Sequence, residues 1–177
     1  MKNVAFWSST PQQGKTTAAK FLSSQYGYTC ISFADPLKAM IKTLSICAGH
    51  SCQEFESYST KNKELPIPVI EASYRKLART LGTEWGRELV NSEMWVNIAR
   101  QKILHSLSGI CIDDMRFKNE LKLLRDQKFT LVKIVRDVDR QDSHSSDLAL
   151  KDFDEWDHVI LNNRSLQDFY RKIENVI

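Results

Sequence analysis

No apolar run in the sequence approaches the roughly 20 residues needed to span a bilayer, so no membrane-crossing helix is expected. The cysteines Cys30, Cys47, Cys52 and Cys111 include no pair at Cys-x-x-Cys spacing, which argues against a zinc ribbon or a thioredoxin-type motif. Cys30 and Cys111 sit in apolar runs and read as buried thiols, as suits a reducing cytosol. No charge of one sign dominates. The formal net charge is +3, too small a bias to argue for nucleic acid, and the basic residues are scattered singly. No internal repeat or low-complexity segment is visible. Met1 leads straight into a short apolar run, so no signal peptide is expected, and the cytoplasm is the expected location.

What remains is an ordinary globular composition, 42% hydrophobic and 27% charged over 177 residues. That length suits one α/β domain with a mobile insertion, and such a domain buries roughly 70% of its unfolded surface without disulfide or metal.

Five short β-rich runs stand out: Val4–Trp7, Cys30–Phe33, Ile110–Ile112, Leu131–Val135 and Val159–Leu161. Helical patterns begin near Lys15, Leu37, Ala72, Trp95, Phe117 and Leu166. Alternation of strands and helices predicts an α/β fold, a parallel sheet with helices on both faces. The runs are nearly all apolar, as expected of strands covered on both sides. Roughly 75 residues separate the second run from the third, where a crossover needs only a dozen or so. The excess, about 49 to 107, is read as a helical substrate-binding insertion in a core of about 1–48 and 108–177. Its first part, Gly49 to Pro68, is polar, contains Pro66 and Pro68, and reads as a loop.

The strongest local signal is Ser8-Ser9-Thr10-Pro11-Gln12-Gln13-Gly14-Lys15-Thr16-Thr17, between the first strand and the first helix. That is the context of a Walker A loop. Backbone N–H groups at a helix N-terminus present partial positive charge to phosphate oxygens. Gly14 lets the backbone approach, Lys15 would bridge the β- and γ-phosphates, and the Thr16 hydroxyl would ligate magnesium. The pattern departs from G-x-x-x-x-G-K-[ST] at its first glycine, where Ser9 stands, and Pro11 removes one amide donor.

Acids follow two of the strands. Asp35 lies in Ser32-Phe33-Ala34-Asp35-Pro36-Leu37 and reads either as a helix N-cap or as a group at the carboxyl edge of the sheet, where ligands collect. Asp113 and Asp114 end the third run, a Walker B arrangement that positions magnesium directly or through water. A capped turn is the plainer alternative.

Between Tyr74 and Trp95, Arg75 and Arg79 are four apart and share a helix face. Arg87 falls roughly on the same side if the helix resumes past Gly82 and Gly86. Like charges stacked this way repel, and a phosphate between them is an attractive explanation. Trp85 and Trp95 would stack on a base. The alternative is a solvated arginine face with core tryptophans. Arg116 opens the helix after Asp114, and Arg136 ends the fourth run with Arg140 close behind. Phosphoryl transfer needs positive charge on the transferring oxygens. The polar stretch 137–147 reads as a lid, with Ser145 or Ser146 as a helix cap.

Taken together these blocks resemble the bacteriophage deoxynucleoside monophosphate kinases, within the three-layer P-loop kinase fold with a five-stranded parallel sheet. The resemblance covers nearly the whole chain. It rests on Gly14-Lys15-Thr16-Thr17, Phe33-Ala34-Asp35-Pro36-Leu37, Leu81-Gly82-Thr83-Glu84-Trp85-Gly86-Arg87, Asp114-Met115-Arg116-Phe117-Lys118-Asn119-Glu120, the strand end at Arg136, His144-Ser145-Ser146-Asp147, and Asp157-His158-Val159-Ile160-Leu161-Asn162-Asn163. It implies ATP as phosphoryl donor, Mg2+, and a nucleoside monophosphate acceptor, with no nucleic-acid or membrane partner. Related kinases are often dimers, so a homodimer is a possible assembly. Gln13 to Thr17 and Arg136 would hold the donor phosphates. Asp35, Arg75, Arg79, Glu84, Arg87, Trp95 and Arg116 would face the acceptor. Lys15, Asp35, Arg116 and Arg136 would serve the transfer, and Thr16 and Asp114 the metal. Asp147 stands where the family tends to carry glutamate.

A kinase for another small phosphorylated acceptor, of the dephospho-coenzyme A or phosphomevalonate type, would share fold and mechanism. A nucleotide-driven switch fits less well. Asn62-Lys63-Glu64-Leu65 is the nearest match to the guanine-reading Asn-Lys-x-Asp and lacks its acid.

Overall fold

A computed structural model of the chain describes residues 1–136, 150 and 152–177. The expected lid, Arg140 and the expected cap at Ser145 or Ser146 lie outside them. The described chain divides into two compact units, Met1–Ser32 with Ile98–Ile177, and Phe33–Asn97.

The first unit is built on a five-stranded parallel sheet. Its strands are β1 (Val4–Trp7), β2 (Thr29–Cys30), β5 (Ile110–Ile112), β6 (Thr130–Val135) and β7 (His158–Leu161), in the order β2-β5-β1-β6-β7. Every pairing in it is parallel. β1 is fully buried, as its unbroken apolar sequence dictates, and it lies between β5 and β6. Central strands fix the register: Val4 stands opposite both Cys111 and Thr130.

The core on one face gathers Val4, Phe6, Val132, Ile134 and Ile160 from the strands. Ala18, Ala19 and Leu22 come from α1 (Lys15–Tyr26), and Phe169, Ile173 and Val176 from the last helix and its end. Full burial of a side chain such as Phe6 or Leu22 contributes about 1.5–3 kcal/mol. Further helices of this unit are α6 (Lys118–Asp126) and α7 (Leu166–Glu174). The four buried residues of α6, Glu120, Leu121, Leu123 and Leu124, follow the helical repeat.

The edge strands depart from expectation. β2 holds only Thr29 and Cys30, both exposed, instead of running from Cys30 to Phe33. Cys30 is therefore an exposed thiol, while Cys111 opposite it is buried as expected. β7 likewise buries only Ile160. An edge strand has one neighbour, so apolar composition there does not guarantee cover.

The second unit is helical, with α2 (Asp35–Cys47), α3 (Cys52–Thr60), α4 (Tyr74–Arg79) and a π-helix over Thr80–Val90. A hairpin of β3 (Pro66–Ile67) and β4 (Ala72–Ser73) precedes α4. α5 (Met94–Leu104) begins in this unit and ends in the first. Two features correct the expected loop from Gly49 to Pro68. The segment contains α3, opened by a capping box in which Ser51 and Glu54 satisfy each other's backbone amides. It then enters the hairpin. The Ser-x-x-Glu signal was there to be read, but the surrounding polarity masked it. The helix expected near Ala72 begins at Tyr74, after β4, and Ser73 caps α4 by accepting from the Lys76 amide. No described helix is long and apolar enough to cross a membrane.

Candidate functional site

In the sheet unit, the segment between β1 and α1 forms a closed loop. Ser8 Oγ donates to the Thr10 carbonyl at 2.7 Å, and Gln13 Nε2 donates to Thr10 Oγ1 at 2.6 Å. Lys15 Nζ folds back and donates to Ser8 Oγ. The left-handed backbone positions fall at Gln12 (φ 62) and Gly14 (φ 115), not at Ser9. That is why a residue with a side chain is tolerated where the motif has its first glycine. Gly14 is obligatory on two grounds. Its φ disfavours L-residues, and an added Cβ would lie 2.7 Å from Asn162 Nδ2 and 3.1 Å from Phe169 Cζ. Gly14 is also the N-cap of α1, with no side chain capping the first turn, and Ala18 N donates to its carbonyl at 2.9 Å. Backbone amides at such a helix start suit an anion.

The acids behind this loop separate. Thr16 Oγ1 donates to Asp113 Oδ2 at 2.7 Å, whereas Asp114 Oδ2 accepts from Ser32 Oγ at 2.5 Å. Asp113 is the carboxylate bonded to Thr16, while Asp114, the acid expected to serve the metal, is bonded to Ser32. Successive side chains leaving a strand point to opposite sides, so only one of two adjacent acids can face α1. Thr16 and Asp113 offer oxygen donors of the kind magnesium takes, leaving its other positions to water and phosphate. Among the described residues no group of three or more His, Cys, Asp or Glu gathers as a self-sufficient metal cage.

Past Asp114 the chain turns on Glu120, a carboxylate only 2% exposed, which accepts from the Arg116 amide at 2.6 Å and the Phe117 amide at 3.0 Å. Glu120 fixes the backbone that carries the exposed Arg116. Its role escaped sequence reading, because Phe117 has no side-chain acceptor and so forms no capping pattern with Glu120. Arg136 is exposed immediately after β6. Asn162, at the end of β7, donates through Nδ2 to the Gln13 carbonyl at 2.8 Å, another contact the sequence did not announce.

In the helical unit, Ala34 is the N-cap of α2 and Asp35 is its first residue, which corrects the N-cap reading of Asp35. A carboxylate there still complements the helix dipole, and it pairs with Lys38 at 3.4 Å. Arg75 and Arg79 lie on α4 at helical spacing and are exposed. Arg75 Nε bonds Glu64. Arg87 lies in the π-helix, and its Nη1 donates to the Ser92 carbonyl at 3.3 Å. The i→i+5 bonding of that segment, completed by Asn91 N to the Gly86 carbonyl at 2.9 Å, breaks the α-helical phase. The periodicity that set Arg87 beside Arg79 therefore does not apply. Glu84 is exposed and Trp85 is 38% exposed.

Trp95 is 3% exposed. Its indole Nε1 donates to the Gly82 carbonyl at 2.9 Å, and its ring covers Gly86. The two glycines let the π-helix backbone approach the indole. Trp95 is thus a core residue of this unit, and of the two tryptophans only Trp85 has a ring accessible to a base.

Comparison with known proteins agrees with these features. A family model described as deoxynucleotide monophosphate kinase matches residues 42–173, a span that starts beyond the phosphate loop. A provisionally named deoxynucleotide monophosphate kinase of Acanthamoeba polyphaga mimivirus is 29% identical over 177 residues, covering 90% of this chain and 88% of that protein. The deoxynucleoside-5'-monophosphate kinase of Escherichia phage T5 is 38% identical over 68 residues, 38% of this chain and 27% of the phage protein. Among solved structures, TT1252 from Thermus thermophilus superposes with a TM-score of 0.50 at 13% identity, covering 99% of this chain and 97% of that one, a likeness of fold.

Proposed function

The chain belongs to the deoxynucleotide monophosphate kinase family, and on that premise we propose that it transfers the γ-phosphate of ATP to a deoxynucleoside 5'-monophosphate, releasing ADP and the diphosphate. The observation that carries this reading is the loop itself: Gly14 in its left-handed turn, Lys15 folded back over it, and Thr16 bonded to Asp113. That constellation suits a nucleoside triphosphate tail.

The amides at the start of α1 and the Lys15 ammonium hold the donor phosphates. Lys15 leaves Ser8 for the β- and γ-phosphate oxygens, where its charge opposes the negative charge carried through transfer. Thr16 and Asp113 would hold magnesium, which would supply positive charge to the phosphate oxygens. Gln13 shapes the loop from beneath, where it is buried and bonded to Thr10. Arg116 and Arg136 supply further positive charge from the ends of β5 and β6.

On the acceptor side, Arg75 and Arg79 from α4 bind the monophosphate, Arg75 by exchanging Glu64 for phosphate, and Arg87 reaches it separately from the π-helix. Asp35 and Glu84 offer hydrogen-bond acceptors for the sugar or base, and Trp85 an aromatic face. Trp95 acts through packing. The substrates are small molecules, with neither nucleic acid nor membrane needed, and the cytoplasm is where they occur.

The test is an ADP-release assay with ATP, magnesium and each deoxynucleoside monophosphate in turn, with dephospho-coenzyme A as the rival acceptor. Turnover with at least one deoxynucleotide is expected, together with loss of at least about 100-fold in Lys15→Ala. ADP release without any acceptor, or turnover only with the rival, would sink the reading.

A further inference from the structure

The amide of Asn162 joins the end of β7 to the loop between β1 and α1, two segments 149 positions apart in sequence. Asn162 is itself held, its backbone N–H donating to the Val135 carbonyl at 2.7 Å. The turn that follows it is pinned. Ser165 caps α7 through the Asp168 amide, and Lys172 Nζ donates to the Leu161 carbonyl at 2.9 Å. The side-chain amide therefore starts from a rigid base, and it reaches the Gln13 carbonyl at 2.8 Å.

That carbonyl belongs to the peptide linking Gln13 to Gly14. In a trans peptide the C=O and N–H point to opposite sides. Fixing the carbonyl on Asn162 turns the Gly14 N–H away from β7. The contact also explains why position 14 admits no side chain, since an added Cβ would lie 2.7 Å from the same Nδ2. The Gly14 peptide, with φ 115, has the conformational freedom to rotate and would do so at little cost without an anchor.

We propose that Asn162 is a positioning residue for phosphate binding: its amide locks the Gln13–Gly14 peptide in the orientation that offers the Gly14 N–H to the triphosphate of the donor. This rests on the kinase reading for the identity of the ligand, though not for the geometry. Asn162 touches no phosphate in this role. It removes in advance the cost of ordering one loop peptide, which otherwise falls on ligand binding.

The test compares Asn162→Ala and Asn162→Asp with the wild-type protein. The aspartate keeps the size of the side chain and loses the donor. In steady-state kinetics both variants raise the KM for ATP by about three- to tenfold, the range for one lost hydrogen bond. They leave the KM for the deoxynucleoside monophosphate unchanged, and their thermal midpoints stay near that of the wild type. Inorganic tripolyphosphate, titrated calorimetrically, binds both variants more weakly by a similar factor. An Asn162→Asp protein with wild-type ATP KM and tripolyphosphate affinity would overturn the proposal. So would an equal rise in both KM values together with a lowered midpoint, which marks general loosening. If the wild type binds tripolyphosphate but phosphorylates no deoxynucleotide, the kinase reading fails while the tripolyphosphate comparison still decides the role of Asn162.

Discussion

Thr16 and Asp113 meet across 97 positions of sequence, the threonine hydroxyl donating to the carboxylate at 2.7 Å, so the first turn of α1 is joined to the end of β5. The neighbouring Asp114 is engaged elsewhere, by Ser32 at 2.5 Å. The two adjacent acids are thereby given different tasks. Asp113→Asn is expected to lower kcat by about 10–100-fold and to raise the magnesium concentration needed for half-maximal rate. Asp114→Asn is expected to act mainly on stability, through the Ser32 contact. Titrating magnesium against both variants checks this, and a stronger magnesium effect in Asp114→Asn would reverse the assignment.

Under the proposed function Arg87 would bind the acceptor phosphate. Its removal in Arg87→Ala is expected to raise the KM for the deoxynucleoside monophosphate roughly tenfold, the loss of about one charge-assisted hydrogen bond. The KM for ATP should stay within about twofold by the same reasoning. Steady-state kinetics with each substrate varied in turn measures both, and equal changes would remove Arg87 from the acceptor side.

Gly86 lies under the Trp95 indole. A Cβ there would approach Trp95 Cζ2 at 2.5 Å and the Leu81 carbonyl at 2.7 Å. Gly86→Ala therefore overpacks the helical unit and should cost about 1–3 kcal/mol in urea unfolding. The cost should shrink in a Trp95→Leu background, because the two sites share one contact and are not additive. A Gly86→Ala protein as stable as the wild type would show that the π-helix yields freely.

Burial, reinforced by the Cys30 sulfur at 3.1 Å and by the negative charge of Asp113, pushes the Cys111 thiol far above its usual range. The folded chain thus keeps a proton that the unfolded chain releases above about pH 8.5. The unfolded state then binds fewer protons than the folded one, so stability falls as pH rises through that value. Urea midpoints between pH 7 and 10 should decline more in the wild type than in Cys111→Ala. At pH 8, a thiol reagent should label Cys30, Cys47 and Cys52 quickly and Cys111 only on unfolding, as their exposure dictates.

Much of the frame was legible because its signals are local. The apolar runs predicted all five strands of the parallel sheet, and β1 and β5 were placed to the residue, since a strand covered on both faces must be apolar throughout. Gly14-Lys15-Thr16 marked the joint between β1 and α1, a short local spacing that the structure keeps. Local patterns failed where a neighbour decides. The edge position of β2 shortened it and exposed Cys30, and the polar surroundings of Ser51 and Glu54 hid α3.

By itself, then, the sequence determined the strands of the parallel sheet, their sequence along the chain and the place of the loop between β1 and α1, because these follow from period, composition and short spacings. Tertiary structure alone decided that Asp113 serves Thr16, that Trp95 lies buried against Gly82 and Gly86, and that Asn162 anchors the Gln13 carbonyl. Each of these is set by the direction in which a side chain leaves its backbone and by what stands opposite. Partners as far as 149 positions apart leave no periodic trace of that in the chain.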